Sequence, residues 1–114
     1  MKTKCLHEQA MAKVQDAIVM AEKLARLRRE AYLLERSAAM MLVDMKDKEP
    51  TRSILFRSAA WLAHNCGEFQ DGIALADMGM IGENAPADIF GELVEVKMAC
   101  KCKLPKNDTP TPNP

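Results

Sequence analysis

The chain has 114 residues, enough for one domain and not two. Sixteen basic and sixteen acidic side chains cancel, which removes long-range attraction to nucleic acid or anionic lipid. Aromatics are only 4% while methionines number nine, so the composition excludes an aromatic-rich β core and points to a small-residue helical one.

The first segment, residues 6–47, contains no Gly and no Pro. Its residues are mostly strong helix formers. Ala10, Ala17, Leu24, Ala31, Ala38 and Met45 recur every seven residues. A second apolar position follows four residues later at Val14 and Ala21, then three residues later at Leu27, Leu34 and Met41. The switch falls at Arg26-Leu27-Arg28-Arg29. The absence of any breaker predicts one continuous helix. The alternative is a helical hairpin turning near Arg28. A continuous helix of this length reaches roughly 60 Å and outruns one small domain, so its stripe needs a partner, most simply a second copy. The start MKTKCLHEQ has no apolar stretch behind it, and no apolar run exceeds six residues, Ala38 to Val43. Neither a secretory signal nor a membrane span is expected, and the four cysteines are expected as free thiols in a cytoplasmic protein.

Lys46 to Thr51 reads as a polar connector. Pro50 stops the first segment, and Thr51 or Ser53 can cap the next helix. Leu55, Ala59, Leu62 and Cys66 then recur at helical spacing. Gly67 breaks the pattern as a glycine just past a helix end does. Phe69, Gly72, Ile73, Ala76 and Met80 start another stripe. Two short helices joined so tightly form an antiparallel hairpin. Ala60, Ala63, Gly72 and Gly79 let the backbones approach closely. Residues 82–86 make a loop, with Pro86 opening a last helix. Ile89, Leu93, Val96 and Cys100 form its buried face, and Lys97, Lys101 and Lys103 favour its C-terminal end. Residues 105–114, PKNDTPTPNP, read as a disordered tail, which leaves 1–104 as a single helical domain.

Phe56, Ala60, Gly67, Phe69, Gly72, Ala76, Gly79 and Pro86 together resemble a tetratricopeptide-type helical hairpin. Residues 50–96 are also similar to small uncharacterised bacterial proteins with an RSAAxLA…CGE core. The resemblance implies a helical interaction scaffold and implies no activity.

Candidate chemistry is sparse. Arg57 and His64, with six residues between them, fit the loose pattern of HEPN-type ribonucleases, small all-α proteins usually active as dimers. There His64 would serve as general acid–base and Arg57 would stabilise a phosphorane oxyanion. The plainer account pairs Arg57 with an acid and leaves His64 at its helix end. Cys5-x-His7 and Cys100-x-Cys102 offer four soft ligands, but residues two apart on a helix point about 200° apart, so no metal is expected. The short basic run at 26–29 reads as a solvated face with a Glu22–Arg26 pair. Methionines read as core filler, with Met78, Met80 and Ile81 the ones expected at the surface. No cofactor motif is present.

The sequence therefore predicts an all-α small bundle: a long N-terminal helix (or hairpin), a tetratricopeptide-like hairpin and a C-terminal helix. Its expected work is that of a protein–protein interaction module or small adaptor, with a protein or peptide held near Arg57, Trp61 and His64. The alternatives are a HEPN-like ribonuclease or toxin–antitoxin component, and a structural homodimer through the N-terminal helix. Membrane and nucleic-acid partners are not expected.

Overall fold

With no glycine or proline in the first segment, the i→i−4 backbone ladder has nothing to interrupt it. A computed structural model describes residues 2–82 and 84–105. In it the first segment is one helix, α1, Lys2–Met41, of 40 residues. The hairpin turning near Arg28 is not formed. A single 3₁₀ turn at Lys46–Lys48 leads to α2 (Thr51–Asn65), α3 (Phe69–Met80) and α4 (Ala87–Lys103). The fold is all-α, with no strand among the described residues. The proline-rich tail lies outside those residues beyond Pro105.

α1 stops at Met41, well before Pro50. Leu42 N–H donates to Ala39 O at 2.9 Å and Met45 N–H to Leu42 O at 2.9 Å, so the ladder tightens to i→i−3. The Val43 carbonyl is then taken twice by the Arg52 guanidinium, at 3.0 and 2.8 Å, and cannot accept from residue 47. α2 starts without the Thr51 or Ser53 side-chain cap that the sequence suggests. Instead the Ser53 N–H donates to Glu49 Oε1 at 3.0 Å, and the Ser53 hydroxyl donates to Pro50 O at 3.2 Å. A carboxylate here also suits the positive end of the α2 dipole.

The turn from α2 to α3 is what Gly67 dictates. Gly67 has φ 79°, which glycine adopts without strain. Glu68 N–H returns to Ala63 O at 2.9 Å and Gly67 N–H to His64 O at 3.1 Å, the paired closure of a Schellman motif. α3 and α4 then pack on α2. Phe56, Ala59, Ala60 and Ala63 of α2 meet Leu75 and Ala76 of α3 and Leu93, Val96 and Cys100 of α4, all fully buried. The α2 stripe is turned by about one residue from the expected one: Leu55, Leu62 and Cys66 are only partly buried. Small residues set the spacing. A Cβ on Gly79 would lie 2.8 Å from Phe56 Cβ and 2.8 Å from Leu93 Cδ2. A Cβ on Gly72 would meet Cys100 Sγ at 2.5 Å. The α4 face is the expected one, with Ile89, Leu93, Val96 and Cys100 its buried residues.

α1 joins this three-helix body only near its end. Its buried residues are Tyr32 and Ala39. Every side chain from Lys2 to Ala31 is exposed. The molecule measures 70 × 46 × 22 Å, longer than the roughly 60 Å that 40 helical residues span.

Candidate functional site

Arg57, Trp61 and His64 lie at i, i+4 and i+7 along α2 and share one side of it. Each is already engaged by a neighbour. The Arg57 guanidinium is paired with the Glu92 carboxylate of α4. The His64 ring packs edge-on between Trp61 and Phe69, with ring centroids 5.5 Å from each. Its Nδ1 lies 3.4 Å from Asn65 Oδ1. Trp61 is half-buried against the core, as its position beside the α2 stripe suggests. The three residues therefore close the corner between α2, α3 and α4. A phosphate reaching Arg57 would meet the Glu92 carboxylate beside it.

Among the described residues, two of the cavities lie away from this corner. One, of about 440 Å³, is lined by Lys46, Glu49, Gly82 and Asn84 near the 3₁₀ turn. The other, of about 270 Å³, sits in the angle between α1 and the α2–α3 turn, lined by Ala25, Arg28, Arg29, Asn65 and Cys66. Neither gathers a nucleophile, a base and an oxyanion donor.

Two polar clusters that sequence reasoning missed hold the helices together. In the first, the Tyr32 hydroxyl donates to Asp71 Oδ2, and Arg36 grips both Asp71 oxygens, Nε to Oδ2 at 2.9 Å and Nη2 to Oδ1 at 3.2 Å. Burial, then the hydrogen bond to Asp71, pushes the Tyr32 phenol up to about 12. Burial alone would raise the Asp71 carboxyl. The hydrogen bonds from Arg36 and Tyr32 and the guanidinium charge outweigh it and hold the carboxyl below its ordinary value. One turn earlier, Arg29 Nη1 reaches Glu68 Oε1 at 3.0 Å. These contacts fasten α1 to the start of α3.

In the second cluster, Arg52 is almost wholly buried, at 1% exposure. Besides the Val43 carbonyl, its guanidinium donates to Met78 O at 3.0 Å and Ile81 O at 3.2 Å. Glu49 Oε2 lies 3.6 Å away, and the cation sits 5.1 Å from the Phe56 ring centroid. The carbonyls come from the ends of α1 and α3, where helix dipoles favour a cation. The sequence carries only a weak signal for this: arginine is mildly disfavoured at a helix N-terminus, and nothing local joins Arg52 to these carbonyls.

The four cysteines are unpaired. Cys100 is buried in the core, and that burial raises its thiol above the ordinary value. Cys5 and Cys102 are exposed, Cys5 far out on α1. Among the described residues no group of three or more His, Cys, Asp or Glu is placed to hold a metal ion. No helix is long and apolar enough to cross a membrane. The Glu22–Arg26 pair expected on α1 is not formed among the described residues.

The methionines are not placed as expected. Met78 and Met80 are partly buried against the core, while Met20 and Met41 stand out from α1. The large apolar side chains that reach solvent are concentrated on that helix. Comparison with protein-family models, curated proteins and solved structures returned no match.

Proposed function

We propose that the protein is a non-catalytic protein–protein interaction module, in which the α2–α4 body holds α1 out as the contact surface. One observation carries this reading. The thirty positions from Lys2 to Ala31 are all exposed, yet they include Leu6, Val14, Ile18, Met20, Leu24 and Leu27. Exposed apolar residues recurring along the whole length of such a helix are expected where another chain covers them. The tetratricopeptide-like hairpin has a supporting place in this reading: Gly67, Gly72 and Gly79 build a tight body on which α1 is mounted. The side of α2 carrying Arg57, Trp61 and His64 is the secondary candidate for partner contact. The unpaired thiols suit a reducing compartment such as the cytoplasm.

A ribonuclease of HEPN type would need Arg57 free to meet a phosphate, whereas its charge is answered by Glu92. The test uses the whole chain as bait in its host. The Leu27→Glu/Leu34→Glu variant is expected to lose the proteins that wild type captures, while the α2–α4 body stays folded, read by the fluorescence of Trp61. The Trp61→Ala and His64→Ala variants are expected to keep them, and purified wild type is expected to leave RNA intact. An unchanged capture profile for Leu27→Glu/Leu34→Glu, or RNA cleavage lost in His64→Ala, would overturn the reading.

A further inference from the structure

α1 carries two faces. Arg29, Tyr32, Arg36 and Ala39 turn toward the body. At 100° per residue, a second line runs roughly 150° around the helix from them. Stepping alternately by four and three residues from Leu6, it passes Met20, Leu24, Leu27 and Leu34 and ends at Met41. Ala10, Ala17, Ala31 and Ala38 fill the steps between, and Lys13 is the one charge on the line. Because this line faces away from the body, its large residues Leu34 and Met41 stay open even where α1 is docked. Leu6, Met20, Leu34 and Met41 are 65%, 71%, 73% and 75% exposed, the four most exposed large apolar residues described.

An alternating four–three line is a heptad seam, and a seam is closed by another helix of similar length. The next longest helix in the chain, α4, has 17 residues and is already packed in the body. A second α1 has the length, and the flanking charges state its direction. In a parallel two-fold pair, closure requires matching register. Lys13 would then face Lys13 of the partner subunit, Lys23 would lie beside the partner's Arg28, and Glu30 beside the partner's Glu35. All three contacts repel. Turning one helix around removes them. With the two-fold axis between Ala25 and Arg26, Lys23 lies beside the partner's Glu30, twice over.

The same arrangement balances volume. Met20 faces the partner's Ala31, Leu34 the partner's Ala17, and Met41 the partner's Ala10, with Leu24 against the partner's Leu27 at the centre. Lys13 faces the partner's Ala38, whose small size lets its ammonium reach water. Shifting by one heptad toward the N-termini brings Lys23 against the partner's Lys23 and Asp16 against the partner's Glu30; shifting the other way brings Glu30 against the partner's Glu30 and Arg28 against the partner's Arg28. Shifting by two toward the N-termini restores attraction, between Asp16 and the partner's Lys23, but leaves Leu34 and Met41 uncovered; shifting by two the other way leaves Leu6, Ala10, Lys13 and Ala17 uncovered.

We infer that two copies of the chain pair through α1 as an antiparallel two-stranded coiled coil centred between Ala25 and Arg26. The inference rests on α1 being the contact surface and adds the identity, direction and register of its partner. The overlap runs from Ala10 to Met41, about 48 Å at 1.5 Å per residue. The bodies sit on the outer sides of the pair, away from the seam.

The test uses the full chain carrying Cys5→Ser, Cys66→Ala and Cys102→Ser, with buried Cys100 kept. One preparation carries Met20→Cys, and a second, distinguishable in size, carries Ala31→Cys. Mixed and mildly oxidised, they are expected to join as a mixed disulfide. Neither should join to itself, since each residue lies about 16 Å along the axis from its own copy, beyond disulfide reach. Wild type should sediment as a dimer. Lys23→Glu should weaken the dimer roughly three- to thirtyfold, and Lys23→Glu/Glu30→Lys should restore it. Same-position disulfides would overturn the direction. A dimer without the mixed disulfide would overturn the seam or its register. A monomer overturns the inference, and one that still captures other proteins through Leu27 and Leu34 leaves the broader reading standing.

Discussion

Arg52 shows how a single side chain decides where helices end. It is buried, charged, and bonded to three carbonyls at two helix termini. Removing it would leave those buried carbonyls without their donor and Glu49 without its cationic partner. Arg52→Met keeps much of the volume and loses the bonds. We expect it to cost about 3–5 kcal/mol, read as a fall in the midpoint of urea unfolding. Lysine would not rescue it, because one ammonium cannot span the Val43, Met78 and Ile81 carbonyls. A loss below about 1 kcal/mol would show that the guanidinium bonds add little beyond those water could supply. At this scale the sequence was partly legible. Gly67, Gly72 and Gly79 announced a turn and close approach, since each role needs the absence of a Cβ. Arg52 and Glu49 did not, because their partners lie up to 29 residues away and no local pattern joins them.

At the scale of elements, α1 is one helix because nothing in its sequence ends it, and the change in spacing at Arg26–Arg29 marks no turn. The spacing changes because two stripes coexist there. One is the seam. The other begins as Met11, Val14 and Ile18 and continues into the body-facing side at Arg29, Tyr32 and Arg36. Periodicity alone could not separate them, since half of the second stripe is polar. Its polar members clasp Asp71, and that clasp is pH-dependent. Asp71 is held below its ordinary value of 3.8. Its contribution is therefore present above that pH and lost as the pH falls through the lower folded value. We expect Asp71→Asn to be less stable than wild type at neutral pH, with the difference in thermal midpoint shrinking below pH 3.8. A difference that stays constant into acid would show that the carboxylate's charge is not what fastens α1. The α4 face was read correctly because all four of its buried residues are apolar and regularly spaced. The α2 stripe was read one position off because buried Arg52 and Ser53 belong to it.

At the scale of the whole molecule, a small alanine- and glycine-spaced body supports a helix far too long for it. The all-α class followed from composition and from the missing breakers. The proposed contact surface could not be singled out in the sequence, because the outward line shares its residue types with a buried stripe. Only the position of the body shows which of the two is already covered. An uncovered helix of this kind opens readily to water, whereas a paired one is protected. The direct test is hydrogen–deuterium exchange of the full chain, followed at amides 10–28 across a dilution series. Slow exchange at high concentration that accelerates on dilution, while the Phe56 to Ala63 amides stay unchanged, is the predicted result. Exchange in 10–28 that is equally fast at every concentration would contradict the account.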